Sequence, residues 1–354
     1  MLSDPNFLLS SLFQLAFIAL AFFGIRRDRE NDFFMSRDYT SVLKALCCFS
    51  VILAHTGAGE KYCVLGFVHW IAVSIFFLFS GYGLSFSAAH KPDYMRSFHK
   101  RILKTAIPLL LVIVLKEAFS CDIWSGGMGY MLVAILFYVV FFLVRQAIDG
   151  QYTFWGLDVA DRVLIVLTVL YSLSVQFFHD SRMADGRKLT TLAAFLSLFG
   201  WGCQSLGFAY GVILARKLAG FKAFLSRRRN SAILLACCLV PLPFLALAYL
   251  RTRDVFFVSW TEYALRAVMV LLALLVAAVL SQGLRFGNKA ILFLGNISSE
   301  MFLLHGFVIE MLERHTDLCQ SQPGVFVVLV CLLTFAAAVV LHLLLKALYR
   351  LLKF

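Results

Sequence analysis

The stretch Ser41-Val-Leu-Lys44-Ala-Leu-Cys-Cys-Phe-Ser-Val-Ile-Leu-Ala-His55 decides the reading of this chain. It belongs to a run long and apolar enough for a bilayer-crossing helix, yet it holds a lysine and a histidine where hydrocarbon penalises both. Lys44 and His55 are about three helical turns apart, so they point the same way roughly 16 Å apart along the axis. Ser41 and Cys48 share that face, whereas Leu43, Phe49, Val51 and Ile52 mostly lie elsewhere. Each ionisable group placed in lipid costs about 3 kcal/mol or more. A helix that carries two on one stripe turns that stripe toward a cavity or a partner helix.

The rest of the chain agrees with a membrane setting. Mean hydropathy is +0.86, 61% of the residues are apolar and only 15% are charged, with the charges clumped between apolar runs. This composition excludes an ordinary soluble domain and points to an all-α, polytopic bundle of transmembrane helices. About eleven spans are expected, near 7–25, 40–58, 63–88, 102–118, 128–147, 162–178, 191–216, 231–250, 262–281, 289–312 and 325–348. No linker, low-complexity tract or soluble domain interrupts them, so residues 1–354 read as one membrane domain.

The first apolar run has no basic residues ahead of it and Arg26, Arg27 and Arg29 behind it. It therefore reads as a first span with its N-terminus outside, not as a secretory signal. Most of the 32 lysines and arginines fall on the same side as that cluster, which the positive-inside rule makes cytoplasmic and which puts the C-terminus there too. The loop with Arg182, Arg187 and Lys188 dissents. The net charge of +12 is thus an orientation signal; no aromatic-and-basic recognition element accompanies it, and no nucleic-acid partner is expected. The nine cysteines lack metal-ligand spacing, and no metal is expected. Cys63, Cys121 and Cys319 fall near outer ends of spans, where one disulfide has room to form.

Four constellations have chemical content. His55 reads either as a general base, since an ordinary histidine pKa near 6.5 suits proton transfer at neutral pH, or as a histidine bonded to a neighbouring helix. Arg101 and Lys104 share a helix face ahead of Pro108, with Arg96 and Lys100 one turn earlier; the cluster suits a polyphosphate, or snorkels as membrane anchors. Ser80, Gly81, Tyr82, Gly83 and Ser85 have small-residue spacing that favours a close helix contact. Ser298 and His305 are seven apart, hence on one face of a late helix. Glu60 reads as an orienting group for His55 or as a loop charge, and Lys116-Glu117 as an interfacial salt bridge.

In this order the motifs resemble the family 3 membrane acyltransferases, which include O-acetyltransferases of bacterial surface glycans. The resemblance covers about residues 36–350 and leaves 1–35 as an added N-terminal helix before a core of about ten helices. The family's Asp-x-x-Arg element followed by a histidine maps to Ser41, Lys44 and His55. Its Phe-Phe-x-x-Ser-Gly-Tyr helix maps to Phe76–Tyr82, its Arg-x-x-Arg element to Arg101 and Lys104, and its Ile-Ser…Leu-x-His segment to Ile297–His305. Ser41, Lys44 and Lys104 depart from the family residues: charge survives at the lysines, but the planar fork of arginine does not.

The resemblance implies transfer of an acyl group, acetyl foremost, from cytosolic acyl-CoA to a glycan hydroxyl outside, in a bacterial cytoplasmic membrane. His55 and Lys44 would be catalytic, with His55 either deprotonating the acceptor hydroxyl for direct attack or carrying the acyl group transiently. Arg101, Lys104 and Lys100 would hold the donor's phosphates, and Glu60, Ser80, Tyr82, Ser298 and His305 would line the cavity. Two readings compete: a transporter of a glycan or anionic metabolite using the same groups, and a sensor built on a degenerate acyltransferase fold. The oligomeric state is not written in the sequence.

Overall fold

A computed structural model describes residues 4–28, 32–59, 61–91, 93–148, 153–185, 202–252 and 260–352. The elements are α1 (Pro5–Phe22), β1 (Arg26–Arg27), α2 (Arg37–His55), α3 (His69–His90), α4 (Phe98–Ala118), α5 (Met128–Ala147), α6 (Val159–Asp185), α7 (Gly202–Ser226), α8 (Arg228–Leu239), α9 (Pro241–Thr252), α10 (Trp260–Leu280), β2 (Leu284–Arg285), α11 (Lys289–Asn296), α12 (Ser298–His315), α13 (Leu318–Ser321) and α14 (Pro323–Leu351). The chain is an all-α bundle. Of the expected 191–216 span, the first part lies outside the described residues, as do Glu60, Arg187 and Lys188.

Among the described residues, seven helices are long and apolar enough to cross a membrane, or eight if a bent pair counts as one. The expected spans on α2, α4 and α7 fall outside that count, and the reason is compositional. Arg37, Asp38 and Lys44 dilute α2, Lys100, Arg101, Lys104, Lys116 and Glu117 dilute α4, and Gln204, Ser205, Arg216 and Lys217 dilute α7. The bent pair covers the expected 289–312 span: α11 and α12 meet at Ile297 with a 72° bend. Gly295-Asn296 is a weak place to continue a helix, and a Cβ at Gly295 would strike the Ser41 carbonyl. The Asn296 side chain instead receives the Ser41 hydroxyl at 3.3 Å.

Close helix contact depends on glycine at one interface. Gly207 and Gly211 of α7 face the Ser74 and Leu78 carbonyls of α3, and Gly81 of α3 faces the Phe208 carbonyl of α7. Any side chain there would meet backbone, so these glycines set the interhelical distance.

Charged clips hold the basic end. Arg26 and Leu284 belong to a two-stranded antiparallel pair, Arg26 opposite Arg285, and Arg285 bridges Asp28 and Asp32. Arg145 and Arg216 enclose Asp158 and Asp161, with Arg145–Asp158 and Arg216–Asp161 both at 2.7 Å. At the other end α1 is pinned by Asp4–Lys61 at 2.5 Å and by Gln14, which donates to the Tyr62 carbonyl at 2.8 Å and accepts from the Leu65 amide at 3.0 Å. All nine cysteines are free. Cys63 contacts the Thr56 hydroxyl at 3.1 Å, Cys319 reaches the Thr56 carbonyl at 3.8 Å, and Cys121 lies 3.9 Å from the Met311 sulfur.

Candidate active site

Lys44 of α2, Arg101 and Lys104 of α4, and the junction of α11 with α12 enclose a cavity of about 270 Å³. Ser80, Tyr138, Asn296, Ser298 and Ser299 add polar groups to its wall, and among the described residues no carboxylate lines it. Arg101 donates to the Tyr94 hydroxyl at 3.0 Å and lies 5.4 Å from the centre of the Tyr138 ring. Ser80 and Tyr138 hydroxyls are 3.5 Å apart. Lys44 Nζ, 6.0 Å from the Phe79 ring centre, makes no hydrogen bond or ion pair among the described residues.

The bend at Ile297 adds to this positive field. The α12 N-terminus has no side-chain cap, and its first residues, Ser298 and Ser299, line the cavity. Backbone N–H groups in the first turn of a helix lack intrahelical acceptors and carry partial positive charge. Three cations, a helix start and no carboxylate define a site for an anion.

The cavity ends at a single layer of rings. Phe76, Tyr130 and Phe302 line it and touch one another, with Phe76–Phe302 at 5.5 Å and Tyr130–Phe302 at 5.0 Å between centres. Across this layer, 5.7 Å from the Phe302 ring, stands His305. Its Nε2 is 3.2 Å from His55 Nδ1, and His55 Nδ1 is 2.9 Å from the Val51 carbonyl. A carbonyl only accepts, so the proton on His55 belongs on Nδ1, where Val51 and His305 share it. That tautomer leaves the lone pair on His55 Nε2, the atom able to take up a proton.

The wall around the pair comes from the loop between α4 and α5. Gly126 has a left-handed φ of +73°, and a Cβ there would lie 3.1 Å from Gly306 and 3.3 Å from the His305 ring. Only glycine lets this loop lie against α12. The fully buried Lys116 holds the loop by donating to the Ser125 carbonyl at 2.6 Å, the Ser125 hydroxyl at 2.8 Å and the Asp122 carbonyl at 3.2 Å. The expected Lys116–Glu117 pair is therefore replaced: successive residues point apart on a helix, and the loop carbonyls take the ammonium.

Of the residues singled out from sequence, Lys44, Ser80, Arg101, Lys104 and Ser298 meet at the cavity, while His55 and His305 meet beyond the ring layer. Lys100 is exposed and stands off the wall. Tyr82 stacks on Phe86 at 5.4 Å and does not line the cavity. Glu60 lies outside the described residues. Sequence reading missed Tyr138, Asn296, Phe302 and His69, whose ring centre is 6.3 Å from that of His55. Asn296, a polar residue next to glycine inside an apolar run, carried a signal; Tyr138 and Phe302 looked like core.

An all-α membrane protein with a cationic cavity on one side of a ring layer and a histidine pair on the other is the class these features define. Residues 37–343 match the family model described as an acyltransferase domain, so the chain belongs to the family 3 acyltransferases and is a membrane acyltransferase. No curated protein and no solved structure matches it.

Proposed function

We propose that this protein transfers an acyl group, acetyl foremost, from cytosolic acyl-CoA to a hydroxyl of an extracytoplasmic glycan. One arrangement supports the reading: a cavity with three cations and no carboxylate is separated by one layer of rings from a histidine whose Nε2 is free to accept a proton. The donor enters at the basic end, which faces the cytoplasm of a bacterial cytoplasmic membrane and holds the C-terminus. Its pyrophosphate rests on Arg101 and Lys104, with Lys44 and the start of α12 deeper in. The thioester reaches the ring layer and His55 from below, and the acceptor arrives from the outer side.

The acceptor oxygen attacks the thioester carbonyl carbon as His55 Nε2 takes the hydroxyl proton. The C–O bond forms, the C–S bond breaks, and the proton passes to the leaving sulfur to give free CoA. His305, sharing the Nδ1–H of His55, holds the ring in the tautomer this step needs. The test uses sealed membranes loaded with acyl-labelled acetyl-CoA on the cytoplasmic side. His55-dependent CoA release with label in glycan is the expected result; wild-type rates from correctly inserted His55→Ala would overturn the mechanism.

A further inference from the structure

A second cavity, of about 410 Å³, adjoins the first at the basic end and shares Lys104, Pro108 and Ser299 with it. Its outer wall is the last part of α14, with Lys346 and Arg350 one turn apart on one face. Tyr349 ties that wall to α4 by donating to the Lys104 carbonyl at 3.2 Å. Among the described residues one carboxylate, Glu300, lines this cavity, and both its oxygens are engaged. Oε1 is 2.8 Å from His342 Nδ1, and Oε2 accepts from the Ser299 hydroxyl at 2.6 Å. Lys346 and Arg350 make no hydrogen bond or ion pair among the described residues. The wall therefore presents Lys104, Lys346 and Arg350 to whatever enters.

We infer that this second cavity is a distinct phosphate-monoester subsite, which holds the 3′-phosphate of the donor nucleotide while the first cavity takes the pyrophosphate. The inference rests on the acyl-CoA reading above. Coenzyme A carries two separate anionic groups, a pyrophosphate in mid-chain and a monoester on the ribose, and the protein offers two adjoining cationic cavities joined at Lys104. Arg350 supplies the forked donor geometry that suits a monoester, and Lys346 a compact charge beside it. A lipid headgroup that ends in a phosphate monoester has the same chemistry, so the test separates the two.

Full-length protein in bilayers of neutral phosphatidylcholine is titrated with acetyl-CoA and with acetyl-3′-dephospho-CoA, and binding is read at equilibrium without turnover. Wild type is expected to bind the dephospho compound about tenfold more weakly, the loss of one charge-assisted contact set. In the Lys346→Gln/Arg350→Gln double variant acetyl-CoA should weaken by about the same factor and the dephospho compound should not change, which brings the ratio to about one. Lys346→Arg, which keeps the charge, should retain the wild-type ratio and shows that the helix end is intact. An unchanged ratio in the double variant overturns the subsite alone. Failure of wild type to bind either thioester overturns the acyl-CoA reading as well. A wild-type ratio of one, with phosphatidic acid retained in a Lys346- and Arg350-dependent way, overturns the donor assignment in favour of lipid.

Discussion

His305 Nε2 lies 3.2 Å from His55 Nδ1, and seven residues earlier on the same two helices the Cys48 thiol reaches the Ser298 carbonyl at 3.5 Å. Helices α2 and α12 therefore run side by side in register, and the histidine pair is set by two whole turns of parallel packing. The consequence for activity is asymmetric. His55→Ala removes the proton acceptor and should lower kcat by about 10²–10⁴-fold, the usual contribution of general acid–base catalysis. His305→Gln retains an acceptor for the shared N–H and should cost about tenfold in kcat, with the donor's KM unchanged. Steady-state kinetics on both variants checks this; equal losses would mean that His305 itself exchanges the proton.

Much of this was readable from the chain, and for a physical reason. A charged residue in an apolar run costs so much that Lys44, Arg101 and Lys104 had to converge on something polar, and helical spacing gave their direction. The limits are equally specific. Phe302 and Tyr130 become a partition only because α5 and α12 bring them together across more than a hundred residues of chain, and nothing local distinguishes them from core. Lys116 looked paired with its neighbour because local charge is visible in sequence and the carbonyls of a folded loop are not. The break at Ile297 was hidden inside an apolar run, with only Gly295-Asn296 to mark it.

The α3–α7 interface gives a stability prediction that is independent of chemistry. Gly207 and Gly211 abut the Ser74 and Leu78 carbonyls, and rigid backbone cannot yield as a side-chain tip would. Gly207→Ala and Gly211→Ala should each destabilise the bundle by about 1–3 kcal/mol, the usual range for overpacking a tight contact. Gly220→Ala, which meets open space, should be neutral or slightly stabilising through helix propensity. Thermal unfolding in detergent, with the three variants side by side, provides the measurement.

The tether of α1 is sensitive to acid. The hydrogen bond from Lys61 holds the Asp4 carboxyl down at about 2, against an ordinary 3.8, with the Phe7 and Asn6 amides and the Tyr62 hydroxyl acting in the same direction. A folded-state value below the unfolded one means that the tether contributes fully above about pH 4. Its contribution is lost as pH falls through about 2. Carbon NMR of the Asp4 carboxyl should show that low midpoint, and Lys61→Gln should return it toward the ordinary value. A wild-type midpoint near 4 would remove the ion pair from the account.

Lys44 should trade stability for function. Its side chain is set among Phe79, Tyr138 and the α11–α12 junction, within a bundle where an unpaired ammonium is costly. Among the described residues no carboxylate lines the cavity to balance the charge. Lys44→Met keeps the length and flexibility of the chain and deletes the ammonium, so the melting temperature should rise by a few degrees, equivalent to about 1 kcal/mol. The same substitution removes a cation that faces the donor and should weaken acetyl-CoA binding by about tenfold. Lys44→Arg restores the charge with a planar fork and should bind the donor at least as well as wild type. If Lys44→Met lowers the melting temperature instead, the ammonium has a structural partner, and the cavity's positive charge serves the fold as well as the ligand.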